Sequence, residues 1–400
     1  MSILQMSTEL VETVVQHMCD PDLLEFRSTC RFADSNTLRA VGRRFFSTLK
    51  TTLIDSDIDR LERISQSGRL VRYVKTIQIK DDWANIREHL RRATPPPEEG
   101  MPKGWKLREQ KIRKMRRACR SWPREKTATL DLDMMAIGKI QTILQENRFL
   151  LDALIIRGVY ESFGADKEAT MALALEIVST ANLGITSLRI ENVGMWVTKV
   201  TFRFHQKTRD QKAGFSILRE VNVEIDNGPA SIYLLNQLLY HAPVLEDLRL
   251  ANLDARGRCA MVPFDTYVNR GVPLVKLKRL RLSRWSCPAS FIQKILGNSR
   301  HTLQEIELVS ILLNHGTERA WNELLLYIGK GFPALIHFNL ASLKHMGRSW
   351  LDFSDIPEML EATCEGELGA YSLYHEQVKF RGSNASHALQ IVASHLKTSG

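Results

Sequence analysis

The chain has 400 residues, of which 44% are hydrophobic and 25% charged, and its formal net charge is +10. This composition belongs to the soluble globular class. A transmembrane helix needs about eighteen consecutive apolar residues, and no stretch of this sequence comes close to that number. The N-terminus lacks the basic start and apolar core of a signal peptide. Six cysteines are scattered without a CxxC pair, so we expect reduced thiols in the cytosol or nucleus, and neither a zinc site nor a disulfide framework.

The positive charge is concentrated in one insert. Residues 103–126 carry eleven Lys and Arg against two Glu, a balance of +9, so the rest of the chain is close to neutral. A Pro-rich loop at 94–100 precedes it, and we place the insert at 94–130 with a basic helix at 105–122. Three interpretations stay open: a solvated helix, a nuclear-import or nucleic-acid patch, and a site for an acidic or phosphorylated partner.

Residues 6–46 predict three short helices. Ser7 and Thr8 are cap-type residues, Asp20-Pro21 separates the first two helices, and Asp34-Ser35 can cap the third. The segment carries more large apolar side chains than three short helices can bury among themselves. Some of them must therefore pack on the rest of the chain or on a partner.

The same stretch has a recognisable spacing of apolar and polar residues. Its members are Met6, Glu9, Leu10, Val14, Val15, Met18, Asp20, Pro21, Asp22, Leu23, Leu24, Phe26, Arg27, Cys30, Arg31 and Phe32. In this spacing the stretch resembles an F-box, the motif that binds the Skp adaptor of SCF (cullin–RING) ubiquitin ligases. Two positions depart from the family: Ser7 stands where Pro is usual, and one residue instead of two separates Cys30 from the aromatic Phe32.

The resemblance implies an N-terminal F-box domain at 1–50 that binds the Skp adaptor and, through it, a cullin. The residues it assigns to adaptor binding are Met6, Leu10, Val14, Val15, Met18, Pro21, Leu23, Leu24, Phe26, Arg27, Cys30 and Phe32.

A repeating pattern, apolar-x-x-apolar-x-apolar, fills residues 51–349. After a helix at 55–67 and a strand at 70–79, its eight triplets begin at Val74, Leu151, Ile185, Leu218, Leu245, Leu277, Leu303 and Leu335. Helical segments precede most of them. Such units share a core only when stacked, which predicts an α/β solenoid of parallel strands and outer helices. The pattern resembles irregular leucine-rich repeats, with a polar or small residue two positions after the last apolar one. A doubly wound sheet is the alternative, without a phosphate loop to support it.

Residues 350–400 depart from the repeat, and we assign them to a C-terminal cap with a strand at "QVKFRG" and a last helix beginning near Asn384 or Ser386. An F-box followed by degenerate repeats resembles many fungal F-box proteins, whose repeats are taken to be the substrate receptor.

Alternation along the strands places a set of polar residues on the face opposite the core. Those we assign to substrate binding are Asp247, Arg249, Arg279, Arg281, Glu305, Glu307, His337 and Asn339, preceded by Glu220 and Glu224. Their changing sign predicts a substrate with a basic–acidic–basic face. Two alternatives stay open: a solvated face whose charges keep the sheet soluble, and recognition by loops or the C-terminal cap.

Catalytic motifs are absent from the sequence: there is no GxSxG, HExxH, Walker or kinase pattern. We therefore expect a non-catalytic receptor subunit without cofactor or metal, cytoplasmic or nuclear, that does not bind membrane or nucleic acid. Two alternatives stay open. One is a nuclear nucleic-acid-associated scaffold that uses the basic insert, and the other is an F-box protein that binds the adaptor but acts outside ubiquitin transfer.

Overall fold

The computed structural model describes residues 6–52, 55–80, 139–140, 142–146, 149, 151–157, 183–193, 215–225, 235, 238–252, 274–314, 319–345, 351–354, 356, 360, 367–368 and 377–398. The α-helices in this part of the chain include α1 (Thr8–His17), α2 (Asp20–Thr29), α3 (Arg31–Val41), α4 (Asp55–Gln66), α5 (Ala289–Leu296), α6 (Ala320–Gly331) and α7 (Ala385–His395). The basic insert lies outside the described residues.

The first nine strands in the main sheet are β1 (Thr48–Thr51), β2 (Thr76–Lys80), β3 (Ala153–Arg157), β4 (Ser187–Val193), β5 (Glu220–Ile225), β6 (Asp247–Asn252), β7 (Arg279–Ser283), β9 (Glu305–Val309) and β11 (His337–Ala341). The two-residue strands are β8 (Ser286–Cys287), β10 (Leu312–Leu313), β12 (Lys344–His345), β13 (Leu351–Asp352), β14 (Glu367–Leu368) and β16 (Lys397–Thr398). The remaining strand is β15 (Gln377–Arg381).

The main sheet is a ladder in chain order. Strands β1, β2, β3, β4, β5, β6, β7, β9 and β11 pair in that sequence, and all eight pairings are parallel. Each strand is therefore followed along the sheet by the next main-sheet strand in the sequence, since β8 and β10 belong to a separate sheet. A doubly wound sheet reverses its order at a switch point, so this topology excludes that alternative. It is the order that stacked strand–loop–helix units produce.

Two rows of apolar side chains run along one face of this ladder. The first row contains Leu49, Ile77, Leu154, Leu188, Val221, Leu248, Leu280, Ile306, Phe338 and Phe380. Every residue of the eight predicted triplets is buried, from Val74 to Leu340. Helices α4, α5, α6 and α7 contribute side chains to the same core. The predicted register of the repeats is thereby confirmed.

A left-handed turn recurs where the chain leaves the main sheet. Arg284, Ser310 and Ser342 have φ values of 59°, 55° and 50°, and each stands two positions after the last core residue of its strand. This is the position at which the sequence places a polar or small residue in several repeats. After the turn the chain forms a second parallel sheet in the order β12-β10-β8.

The far end of the ladder is closed by an antiparallel strand and a helix. Strand β15 pairs with β11, and the ring of Phe380 stacks on Phe338 at 5.8 Å between centroids. Helix α7 packs on α6, where Gln390 Nε2 donates to the Gly329 carbonyl at 3.0 Å. The strand and helix expected in this region are confirmed, whereas the boundary of the cap at residue 350 stays a prediction.

Several local predictions were wrong. Strand β1 was missed, because no element was assigned between the three N-terminal helices and the helix at 55–67. A 3-10 turn at Val71–Tyr73 occupies the start of the strand predicted at 70–79. Helix α3 begins at Arg31 and is capped by Cys30, so Asp34 lies in its first turn instead of capping it.

The buried rows predict a large difference between two isoleucines near the same end of the sheet. Ile306 is 0% exposed in the first core row, whereas Ile336 is 43% exposed just before β11. We expect Ile306→Ala to lower the free energy of unfolding by about 2–5 kcal/mol, because it leaves a cavity. Ile336→Ala should stay within about 1 kcal/mol. Urea unfolding measures both, and similar costs would contradict the register.

Close packing of α6 on α7 predicts a second contrast. A Cβ on Gly329 would lie 2.8 Å from Gln390 Cγ and 2.9 Å from the Ser386 carbonyl oxygen, whereas one on Gly331 would meet nothing within 4 Å. Gly329→Ala should therefore lower the unfolding temperature by separating the helices. Gly331→Ala, two residues away, is the control and should leave it unchanged or raise it. Equal effects in thermal unfolding would argue against this helix contact.

Candidate functional site

The three N-terminal helices have a small core of their own. Val11, Val15, Leu23 and Val41 form its buried centre. Partly buried side chains pack around them: Met6, Met18, Phe26, Phe32, Ala40, Phe45 and Phe46. Of the residues assigned to adaptor binding, Val15 and Leu23 thus lie in the core of this three-helix unit, and Met6, Met18, Phe26 and Phe32 support it.

Other aliphatic side chains of the three-helix unit stay in solvent. Leu10, Val14 and Leu24 are 55%, 47% and 49% exposed. Leu10 and Val14 are four residues apart on α1 and so share one helix face. Pro21 and Cys30 are also exposed. The structure thus separates Leu24, which faces water, from Leu23, which is 0% exposed. The side chains of Leu23 and Val15 fill the core between the helices, and their assignment to adaptor contact stays a prediction.

Arg27 has a structural partner within the three-helix unit. Its Nε donates to Asp34 Oδ1, and Arg69 Nη2 binds the other carboxylate oxygen of Asp34 at 3.0 Å. The hydrogen bond from Arg27 lowers the pKa of Asp34. At the same end of α3, the Ala33 N–H donates to Cys30 Sγ and lowers the pKa of this exposed thiol.

The three-helix unit is attached to the ladder at a tight junction. Phe46 packs against both hydrophobic cores. Gly42 lies so close to Tyr73 that a Cβ would come within 2.3 Å of its ring. The ion pair between Asp34 and Arg69 joins α3 to the loop after α4. The junction contacts of Gly42, Asp34 and Arg69 were not predicted from the sequence, because their partners are 31 to 35 positions away.

The second candidate surface is the open face of the sheet, opposite the core rows. Two rows of polar residues cross it in register. Glu220, Asp247, Arg279, Glu305 and His337 form one row, and Asn222, Arg249, Arg281, Glu307 and Asn339 form the other. All eight residues assigned to substrate binding are therefore brought together. Glu224 lies one row further along, opposite Ala251.

The charges in these rows are paired with one another. Asp247, whose side chain is 3% exposed, binds Arg249 Nη2 at 3.0 Å and Arg279 Nε at 2.9 Å. Arg281 Nε lies 3.3 Å from Glu307 Oε1. The bond to Asp247 raises the pKa of Arg249. Because buried carboxylates require such partners, this pairing is part of how the face is built.

This pairing bears on the expected basic–acidic–basic substrate, which stays a prediction. A basic–acidic–basic partner would need carboxylates and arginines that are available to it, but Asp247, Glu305 and Glu307 already contact arginines of this chain. Reversing Arg279 or Arg281 would also place like charges around the buried Asp247 or beside Glu305 and Glu307. Such variants would disturb the fold together with any binding.

His337 is buried at the end of the first polar row, with its Nε2 3.9 Å from Glu307 Oε1. Burial lowers its pKa below the ordinary 6.5, and the nearby Arg381 acts in the same direction, while Glu305 and Glu307 oppose them. The imidazole is therefore kept neutral in the folded protein at neutral pH.

Within the described ranges, no three His, Cys, Asp or Glu side chains come together as they would around a metal ion. None of the helices in that part of the chain has the length and apolar character needed to cross a bilayer. No protein-family model matches the chain, and no curated protein is significantly similar to it.

The lowered pKa of His337 predicts a loss of stability in acid. Because the folded protein binds this proton less readily than the unfolded chain, the stability is complete above pH 6.5 and is lost as the pH falls from there towards the folded pKa. Between about pH 7.5 and 5.5 we expect the unfolding temperature of His337→Gln to fall less than that of the parent protein. His301→Gln, at an exposed position, is the control and should follow the parent.

Proposed function

We propose that this protein is an F-box-type substrate receptor of a cullin–RING ubiquitin ligase. Its three-helix unit binds a Skp-type adaptor, and its repeats, which we assign to irregular leucine-rich repeats, bind a protein target. Ubiquitin transfer itself is carried out by the partner subunits. The receptor supplies no catalytic group, cofactor or metal.

The observation that supports the adaptor surface is the exposure of aliphatic side chains on a small helical unit that already has its own core. Leu10, Val14 and Leu24 contribute nothing to the buried cluster around Val11 and Leu23. Exposed apolar groups concentrated on one small unit are typical of a protein-binding surface. The F-box resemblance independently assigns these three residues to adaptor contact.

Attachment of the three-helix unit supports the receptor role in a different way. The contacts of Phe46, Gly42 and the Asp34–Arg69 pair hold the unit against the first strands of the ladder. A target bound to the ladder would thus be held at a fixed position relative to the adaptor. A ligase that must present its substrate to a distant catalytic subunit requires such an arrangement.

We expect the triple variant Leu10→Gln, Val14→Gln, Leu24→Gln to lose most of its affinity for a recombinant Skp-type adaptor. Loss of three apolar anchors of at least about 1 kcal/mol each corresponds to more than about 100-fold in Kd. Gln is a good helix former, so the three-helix unit should remain folded. Isothermal titration calorimetry measures the affinity, and circular dichroism checks the fold.

The matched control changes three other exposed aliphatic residues, which lie on the ladder: Ile217→Gln, Val275→Gln and Ile336→Gln. This variant should bind the adaptor as the parent does. Affinity purification of the full chain, with mass spectrometry read for adaptor and cullin subunits, provides the cellular counterpart. Absence of adaptor binding by the parent protein would refute the F-box proposal, and equal losses in both variants would refute the assigned surface.

A further inference from the structure

The open face of the sheet differs between its two halves. Arginines in strands β6 and β7 are paired with Asp247, Glu305 and Glu307. Strands β1 to β4 also carry cations on this face, namely Lys50, Lys80, Arg157 and Arg189. Of the four, Arg157 is paired with Glu191 at 2.9 Å. In the part of the chain that the structure describes, no carboxylate forms an ion pair with Lys50, Lys80 or Arg189.

Neutral side chains lie between these cations on the open face of β1 to β4. Lys50, Gln78, Ile155 and Arg189 occupy one row in strand order. The adjacent row consists of the small residues Thr48, Thr76, Ala153 and Ser187. Lys50, Arg157 and Arg189 are exposed, whereas Gln78 is buried and Ile155 half-buried. We call this surface, formed by the open-face residues of β1 to β4, the basic quarter of the sheet.

One pairing within the basic quarter is unfavourable unless an anion is present. Lys80 and Arg157 are direct cross-strand partners in β2 and β3. Like charges opposite each other on neighbouring strands destabilise a sheet. Glu191 offsets Arg157 only, so the charge of Lys80 has no counterpart in the described residues. Lys50, Lys80 and Arg189 thus have no anionic partner among the described residues, in contrast to the arginines of β6 and β7, which are paired with Asp247, Glu305 and Glu307.

We propose that the basic quarter binds an extended peptide segment of the target with acidic side chains at alternate positions. Neighbouring strands are about 4.8 Å apart, so β1 and β4 are about 14 Å apart. Alternate residues of an extended peptide are about 7 Å apart, and three of them span the same 14 Å. Acidic residues at i, i+2 and i+4 of a peptide that crosses the strands can thus meet Lys50, then Lys80 with Arg157 in the row about 7 Å further along the strands, and then Arg189.

Neighbouring residues limit where this peptide ends. Glu220 on β5 follows directly after the basic quarter, opposite Ser187, and its negative charge repels an acidic segment that extends further. Such a boundary fixes the register of the bound segment. Single-stranded nucleic acid is the less suitable occupant, because it binds through bases stacked on aromatic rings. The open-face rows of β1 to β4 contain no Phe, Tyr or Trp.

This inference rests on the proposed receptor function, of which it names the substrate class. The probe is a fluorescein-labelled peptide in which five Glu alternate with Ser, titrated onto the full chain and followed by fluorescence anisotropy. Lys50→Gln with Arg189→Gln should weaken binding by about tenfold. The matched control removes two cations from the same face at the far end of the ladder, Lys379→Gln with Arg381→Gln, and should change the affinity less than about twofold.

A second measurement locates the peptide on the chain. Carbodiimide joins a carboxylate to a lysine amine at contact distance, and mass spectrometry then identifies the lysine. Cross-links at Lys50 and Lys80 support the proposal. Cross-links confined to the lysines between 103 and 126, or equal weakening by the two variants, overturn it. Tighter binding of oligo-dT of equal charge, lost in the same Lys50 and Arg189 variant, overturns the assignment to a peptide.

The outcome is independent of the adaptor surface. Both charge variants should bind a recombinant Skp-type adaptor as the parent protein does, because the basic quarter and the exposed aliphatic residues of α1 and α2 are different surfaces. If the peptide does not bind as expected while the adaptor still binds, the proposed substrate class is refuted and the proposed receptor function is not. Failure of adaptor binding with intact peptide binding removes the F-box proposal and leaves the peptide site.

Discussion

The structure depends on the in-register stacking of apolar side chains along a parallel ladder. A single strand with its two core residues and one helix buries too little surface to be stable, so each unit requires its neighbours. Continuous rows, from Leu49 to Phe380 in one case, solve this problem by giving each core side chain a partner on the next strand. Both ends of the ladder must then be closed. The three-helix unit covers the end at β1, and β15 together with α7 covers the end at β11.

This stacking explains why most of the fold could be predicted from the sequence. The apolar triplets recur every 26 to 34 residues from Leu151 onward, and each triplet fixes the position and facing of one strand. The left-handed turns at Ser310 and Ser342 coincide with small residues that the pattern marks. Strand β1 lacks a full triplet, with Leu49 and Thr51 as its buried pair. Strand β1 lies at the edge of the sheet because it pairs with β2, and the periodicity of the sequence does not indicate this pairing.

The candidate surfaces were less predictable, for physical reasons specific to each. Leu23 and Leu24 are adjacent and identical in the sequence, and only the packing of three helices makes one core and the other surface. The charges on the open face were assigned to the correct rows, because alternation determines them. Which charges remain available depends on whether a carboxylate on the next strand is within reach. Asp247 has two arginine partners, whereas Lys80 lies opposite Arg157.

The two halves of the open face also differ in how many of their charged side chains form ion pairs. In β6, β7 and β9, arginine and carboxylate side chains pair with one another, so the formal charges of Asp247, Glu305 and Glu307 balance those of Arg249, Arg279 and Arg281. Breaking one of these pairs costs stability, because Asp247 would remain buried without its full set of partners. In β1 to β4, three of the four cations form no ion pair within the part of the chain that the structure describes, so binding an anion there breaks few of the described contacts. These strands also lie next to the junction made by Phe46, Gly42 and Asp34. A target held by the basic quarter would therefore be close to the three-helix unit, and the rest of the ladder would serve to keep both in place.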